Sequence, residues 1–115
     1  MLSKFKYCPI CGSSHFNISS EKSRKCGKCG FEYFVNPSSA NVAFILNKDG
    51  DLLVERRKND PAKGTLDLPG GFADMNETVE QGLMREVMEE TGLEVTEVKY
   101  MFSKPNTYHY SGVDI

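Results

Sequence analysis

At 115 residues the chain has room for one ordinary domain, or for a small module with part of another. Charged residues make up 26% of it, mean hydropathy is -0.43, and no apolar run approaches the ~18 residues of a membrane-spanning helix. The opening MLSKFKYCPI lacks the long apolar stretch of an export signal, so a cytoplasmic protein in a reducing compartment, with no membrane partner, is expected.

The net charge of -2 is unevenly spread. Up to Val35 there are six Lys/Arg against two Glu, and beyond it eight against fourteen Asp/Glu. The basic part holds four cysteines in two C-x-x-C pairs, Cys8-Pro-Ile-Cys11-Gly and Cys26-Gly-Lys-Cys29-Gly. Each pair makes a tight knuckle that aims two thiolates at one point, the spacing of a structural zinc site. Two disulfides are the competing reading, and a reducing compartment argues against them. With four thiolates closing the site, His15 is read as a surface residue rather than a ligand.

So few residues cannot bury a sufficient core, and a metal would supply much of the folding energy of residues 1–35. Lys4, Lys6, Lys22, Arg24, Lys25 and Lys28, with Phe5, Tyr7 and Phe31, allow a nucleic-acid surface. A solvated ribbon face is the commoner meaning of such a pattern. The module is read as structural first, as a homodimer contact second and as catalytic last.

Phe31–Val35 reads as its final strand, and Asn36-Pro37-Ser38-Ser39 breaks it. Val42–Leu46 is an apolar run of strand type, Asn47-Lys48-Asp49-Gly50 a hairpin signal, and Leu52–Arg56 the return strand. Arg56, Arg57 and Lys58 stand where that strand ends. Exposed charge is one meaning of these residues, and bidentate contact of Arg56 or Arg57 with phosphate is the other. A loop over 59–64 and Thr65-Leu66-Asp67 lead to the glycine turn Leu68-Pro69-Gly70-Gly71.

The spacing then predicts a helix over Thr78–Thr91, with Thr78 as N-cap, Gln81 as its capping-box partner and Gly92 as the stop. Leu83, Met84, Val87 and Met88 form an apolar stripe. Beside it Glu86, Glu89 and Glu90 share another, at i, i+3 and i+4. A solvated acidic face is the ordinary reading of such carboxylates. A divalent cation would reverse their mutual repulsion, and hard oxygen ligands suit Mg²⁺ or Mn²⁺. The adjoining Gly70-Gly71 allow close backbone approach, and Arg85 is positioned to pair with Glu77. After Gly92, a strand over 94–100 is expected, bent because Val95 and Val98 are three apart. A loop over 103–108 and the start of a further strand at Gly112-Val113 follow.

Gly71, Glu77, Arg85-Glu86, Val87, Glu89-Glu90, Gly92 and Leu93 resemble the box of the Nudix hydrolases, G-x5-E-x7-R-E-U-x-E-E-x-G-U, at every fixed position. The resemblance implies an α+β fold: a Nudix-type α/β/α sandwich with a mixed sheet over residues 40–115, preceded by a zinc-ribbon β module over 1–35. It implies metal-dependent hydrolysis of a nucleoside diphosphate linked to another group, such as ADP-ribose or a dinucleotide. Glu86 and Glu90 would be primary Mg²⁺ or Mn²⁺ ligands, Glu89 an additional one, and the carbonyl of Gly71 or Gly70 a further donor. Glu77 and Arg85 would orient them. Glu86 or a carboxylate from further along would be the general base.

A ribbon ahead of such a domain resembles the NADH pyrophosphatase branch and its zinc-ribbon relatives. That branch carries S-Q-P-W downstream of its box, where this chain has Ser103-Lys104-Pro105-Asn106, which argues against NADH preference. Tyr108 and Tyr110 are candidates to stack on a base, with ordinary packing as the alternative. Nudix domains generally continue with further strands and a second long helix. The sheet face left bare over 40–115 is therefore expected to be covered by more chain or by a partner. Two other classes stay open: a non-catalytic nucleotide sensor, and an enzyme removing a nucleotide cap from RNA with the basic ribbon as guide.

Overall fold

The computed structural model describes residues 1–115. They form two compact units: Met1–Pro37 with Lys104–Ile115, and Ser38–Ser103.

In the first unit β1 (Phe16–Ser20), β2 (Ser23–Cys26) and β3 (Glu32–Phe34) make an antiparallel sheet in that order, after a 3-10 turn at Leu2–Lys4. Both cysteine knuckles are closed by backbone hydrogen bonds, Gly12 N to Cys8 O at 2.8 Å and Gly30 N to Cys26 O at 3.1 Å. Cys8, Phe16 and Cys26 are buried together, with Phe5 and Phe31 packed against them. Burying one Phe side chain is worth about 1.5–3 kcal/mol, so a core of this size holds little stability by itself. Polar contacts add to it. Buried Ser23 donates to Glu32 at 2.8 Å, and Arg24 donates to the Phe16 carbonyl at 2.7 Å and to that of Phe5.

The second unit pairs β4 (Ala40–Val42) with β7 (Gly70–Phe72), and β5 (Glu55–Arg56) with β6 (Leu66–Asp67), both antiparallel. Helix α1 (Val79–Thr91) packs against β7 and β4 and buries Val87 completely. Its ends are set locally. The Thr78 hydroxyl accepts from Gln81 N, the Gln81 side chain accepts from Thr78 N, and Gly92 closes the helix in a left-handed conformation with its N–H on Met88 O. The apolar stripe is narrower than its pattern: Leu83 and Met84 are half-buried and Met88 is exposed. No helix is long and apolar enough to cross a membrane.

The hairpin turn forms at Asn47–Gly50, where the Asn47 side chain accepts from the amides of Asp49 and Asp51. The two long flanking strands do not form as expected. Leu46 and Leu52 make an isolated bridge, Leu53 N donates to Ile45 O, and the remaining pairing goes elsewhere. Ala40–Val42 is taken by β7 and Glu55–Arg56 by β6. An apolar run marks strand character without naming the strand it will pair with. Residues 94–100 form no strand. Val95 and Val98 are both half-buried, and a spacing of three does not fit a two-residue pleat. The last strands, β8 (His109–Tyr110) and β9 (Val113–Asp114), form a hairpin within the first unit, and Lys4 Nζ donates to the Gly112 carbonyl. The fold class is α+β. Of the expected sandwich, these residues supply one α-helix and short antiparallel pairs.

Candidate active site and metal centre

Strand β7 brings Gly70 and Gly71 beneath the carboxylates of α1. A Cβ on Gly70 would stand 2.0 Å from the Asn41 carbonyl oxygen, so the β4–β7 pairing admits only glycine there. A Cβ on Gly71 would stand 2.6 Å from the Glu86 carboxyl carbon, in space that carboxylate occupies. The Gly70 N–H donates to Glu90 Oε2 at 3.0 Å. Glu86 and Glu90 therefore rest on consecutive peptides of one strand.

Arg85 orders the carboxylates around it. It grips Glu77 with two nitrogens, Nη2 to Oε1 at 2.7 Å and Nε to Oε2 at 3.1 Å. It also reaches Glu86 at 2.9 Å, Glu89 at 3.4 Å, Asp74 at 3.4 Å and the Phe72 carbonyl at 3.2 Å. The Arg85 hydrogen bond, then the Asp74 amide, hold the Glu77 carboxyl down at about 2. Glu77, followed by Glu86, raises the Arg85 guanidinium above its already high ordinary value. Gly82 makes room for the grip, since a Cβ there would stand 2.8 Å from Glu77 Oε1. Glu89 is the outlying member, its side chain 57% exposed.

Sequence reasoning missed Glu55. It sits half-buried on β5, opposite Asp67. Burial, then Glu90, push that carboxyl up to about 7. The signal was an acid inside an apolar strand run, on the same side as Leu53.

Arg56 and Arg57 reach the adjoining loop. Arg56 Nη1 donates to Gly64 O at 2.6 Å, Arg57 Nε to Pro61 O at 2.7 Å, and Arg57 Nη1 pairs with Asp67 at 2.9 Å. Tyr108 falls in the other unit, half-buried, where its backbone pairs with that of Ile115. Tyr110 lies exposed on β8.

Cys8, Cys11, Cys26 and Cys29 form the tightest ligand group, with all four sulfurs within 4.8 Å of one another. It is the one group of three or more ligand-type side chains that close, and the α1 carboxylates are more spread. Cys8 and Cys29 lie 3.6 Å apart, as do Cys11 and Cys26, and all four thiols are free. The Cys29 amide, helped by that of Lys28 and opposed by burial, lowers Cys26 to about 6. At Cys29 the Phe31 amide pulls the other way, but burial and the three neighbouring sulfurs outweigh it and push the thiol up to about 12. Four sulfurs this close cannot all ionise without a cation among them. The four sulfurs are close enough together to ligate one metal ion.

An α+β domain whose glycine turn underlies helix-borne carboxylates, Glu86 and Glu89 paired with Arg85 and Glu90 with the Gly70 amide, defines a specific class of fold and site. The profile of the NUDIX domain matches residues 35–115, and the chain belongs to that family. Among curated relatives, an ADP-ribose pyrophosphatase of Methanocaldococcus jannaschii is 41% identical over 78 residues, covering 66% of this chain and 46% of its own. The NAD-capped RNA hydrolase NudC of Escherichia coli is 31% identical over 100 residues, covering 87% and 38%. A crystal structure of a NUDIX hydrolase from Nitrosomonas europaea superposes with a TM-score of 0.62 at 32% identity, covering 74% of this chain and 50% of that one. The chain thus spans less than half the length of these two curated relatives.

Proposed function

We propose that this protein hydrolyses the pyrophosphate bond of a nucleoside diphosphate linked to another group, using Mg²⁺ or Mn²⁺. The observation that carries the reading is the seating of Glu86 against Gly71 and of Glu90 on the Gly70 amide. It gathers carboxylate oxygens of α1 against β7, donors of the hard-oxygen kind these ions prefer. Glu86 and Glu90 are the proposed ligands, with the Gly71 carbonyl and the more exposed Glu89 completing the set. When bound, the cation offsets the charge of the diphosphate and lowers the pKa of the attacking water.

The chain's own residues do the rest. Arg85 fixes Glu86 and Glu89 in place and is itself fixed by Glu77, so the helix carboxylates cannot swing apart under their mutual repulsion. Arg56, exposed and using Nη1 for Gly64, is the proposed phosphate contact, and Arg57 holds the loop beside it. In the first unit a structural Zn²⁺ is proposed, since tetrahedral ligation at about 2.3 Å would set sulfurs about 3.8 Å apart. The observed 3.6 Å separations suit that.

The relatives' names suggest ADP-ribose and NAD-capped RNA as substrate classes. The test is a panel of ADP-ribose, NADH, diadenosine polyphosphates and NAD-capped RNA with Mg²⁺ or Mn²⁺, resolved by nucleotide product. Metal-dependent release of a nucleoside monophosphate supports the proposal. Tight nucleotide binding without turnover on any member would replace it with a sensor.

A further inference from the structure

Strand β4 is exposed at Ala40 and Val42, while Asn41 between them is half-buried, its Nδ2 sealed from solvent and without a hydrogen-bond partner. Asparagine is depleted in strands, and a buried amide donor left unpaired costs free energy that an apolar side chain of similar size would not. Register decides which way it faces. Asn41 stands directly opposite Gly71, and residues paired across two strands carry their side chains on the same side of the sheet. At Gly71 that side is the one the Glu86 carboxylate fills. The Asn41 amide is therefore placed under α1, next to Glu86. Other acidic acceptors of the site are engaged: Glu77 by Arg85 and the Asp74 amide, and Glu90 by the Gly70 amide. Glu86 accepts from Arg85 through Oε1, which leaves Oε2 for a second donor.

We propose that Asn41 is a positioning residue of the cation site, its side-chain N–H donating to Glu86 Oε2 when that carboxylate ligates the ion, while Arg85 holds Oε1. The inference rests on the reading above, that Glu86 is a ligand of a divalent cation. It adds a residue of β4, well before the Gly71–Leu93 motif. A carboxylate has about four lone-pair sites, so two donors fix its plane and leave the remaining sites for the ion. Arg85 ties Glu86 to its own helix, and Asn41 ties it to the sheet.

The experiment titrates the 115-residue chain with Mn²⁺, following free ion by electron paramagnetic resonance, and compares wild type with Asn41→Val. The expected result is affinity about tenfold weaker in the variant. Melting in EDTA separates this from a structural role. Valine suits a strand and removes the unpaired donor, so Asn41→Val should melt no lower than wild type there. A variant that melts lower leaves the decision to the wild type, titrated with Mg²⁺ by NMR. The side-chain ¹H–¹⁵N resonances of Asn41 should shift at the same midpoint as the ¹³C resonance of the Glu86 carboxyl. A Glu86 resonance that moves while the Asn41 amide does not overturns the proposal, as does a folded Asn41→Val that binds Mn²⁺ as tightly as wild type. Either result leaves the metal reading standing. Wild type that takes up neither ion overturns that reading and this assignment with it.

Discussion

Gly71 and Glu86 occupy each other's space: the Glu86 carboxyl carbon lies 2.6 Å from where a Gly71 side chain would begin. The contact couples a strand to a helix through the absence of a methyl group. Gly71→Ala must displace the carboxylate, while α1 keeps the caps that define it. We expect Mn²⁺ affinity and turnover to fall by about tenfold or more, with helical circular dichroism unchanged. A variant with wild-type affinity and rate would mean that Glu86 has no need of this seat.

The Glu77–Arg85 pair gives a pH signature. The folded Glu77 carboxyl sits at about 2, against an ordinary 4.5, so its charged form is favoured by folding. A depressed carboxylate stabilises above the unfolded value and loses that contribution as pH falls from about 4.5 to about 2. The melting-temperature gap between wild type and Glu77→Gln should be full at pH 5 to 7 and close across that window. A gap that is constant from pH 6 to pH 2.5 would show that the ion pair is not its source.

The same substitution should cost activity without touching metal or substrate directly. With Glu77 neutral, Arg85 is freed to swing from Glu86 and Glu89, and turnover should drop roughly 10–100-fold. Steady-state kinetics with saturating Mg²⁺ checks this, and an unchanged kcat would remove Arg85 and Glu77 from the orienting role.

For the cysteine cluster, one Zn²⁺ per chain is expected by metal analysis of purified protein. Its removal by a strong chelator should unfold the β1–β3 sheet, because binding energy and folding energy are the same quantity in so small a core. Loss of amide protection confined to residues 1–37 is the predicted exchange pattern. Full protection there after chelation would show a core that stands without metal.

Thr78→Ala removes the cap acceptor of Gln81 N, and about 1 kcal/mol of stability should go with it. Chemical denaturation of the variant measures the loss directly. Thr78→Ser should restore most of it.

What the sequence made legible was local. Thr78, Gln81 and Gly92 bound α1 through contacts a few residues long, and the Glu77–Arg85 pair spans about two helical turns of chain. The cysteine spacing likewise specified a cluster, because each knuckle is closed within itself. Pairing was not legible. Val42–Leu46 and Leu52–Arg56 carry strand character, yet β4 and β5 each find a partner outside the predicted hairpin, a choice made by residues 66–72. Glu55 escaped notice for the same reason, since its significance lies in Glu90, far along the chain. Met88 and residues 94–100 show the limit of periodicity: a helical stripe or a pair of valines three apart says nothing of whether another element arrives to pair with it or cover it.

The central claim is that carboxylates of α1, seated on Gly70 and Gly71, hold a divalent cation. The most direct measurement is anomalous X-ray diffraction from crystals grown at neutral pH and soaked in millimolar Mn²⁺. The account predicts a peak bounded by oxygens of Glu86 and Glu90, lost in Glu90→Gln crystals treated alike. Bare density between those oxygens in the wild type would contradict it.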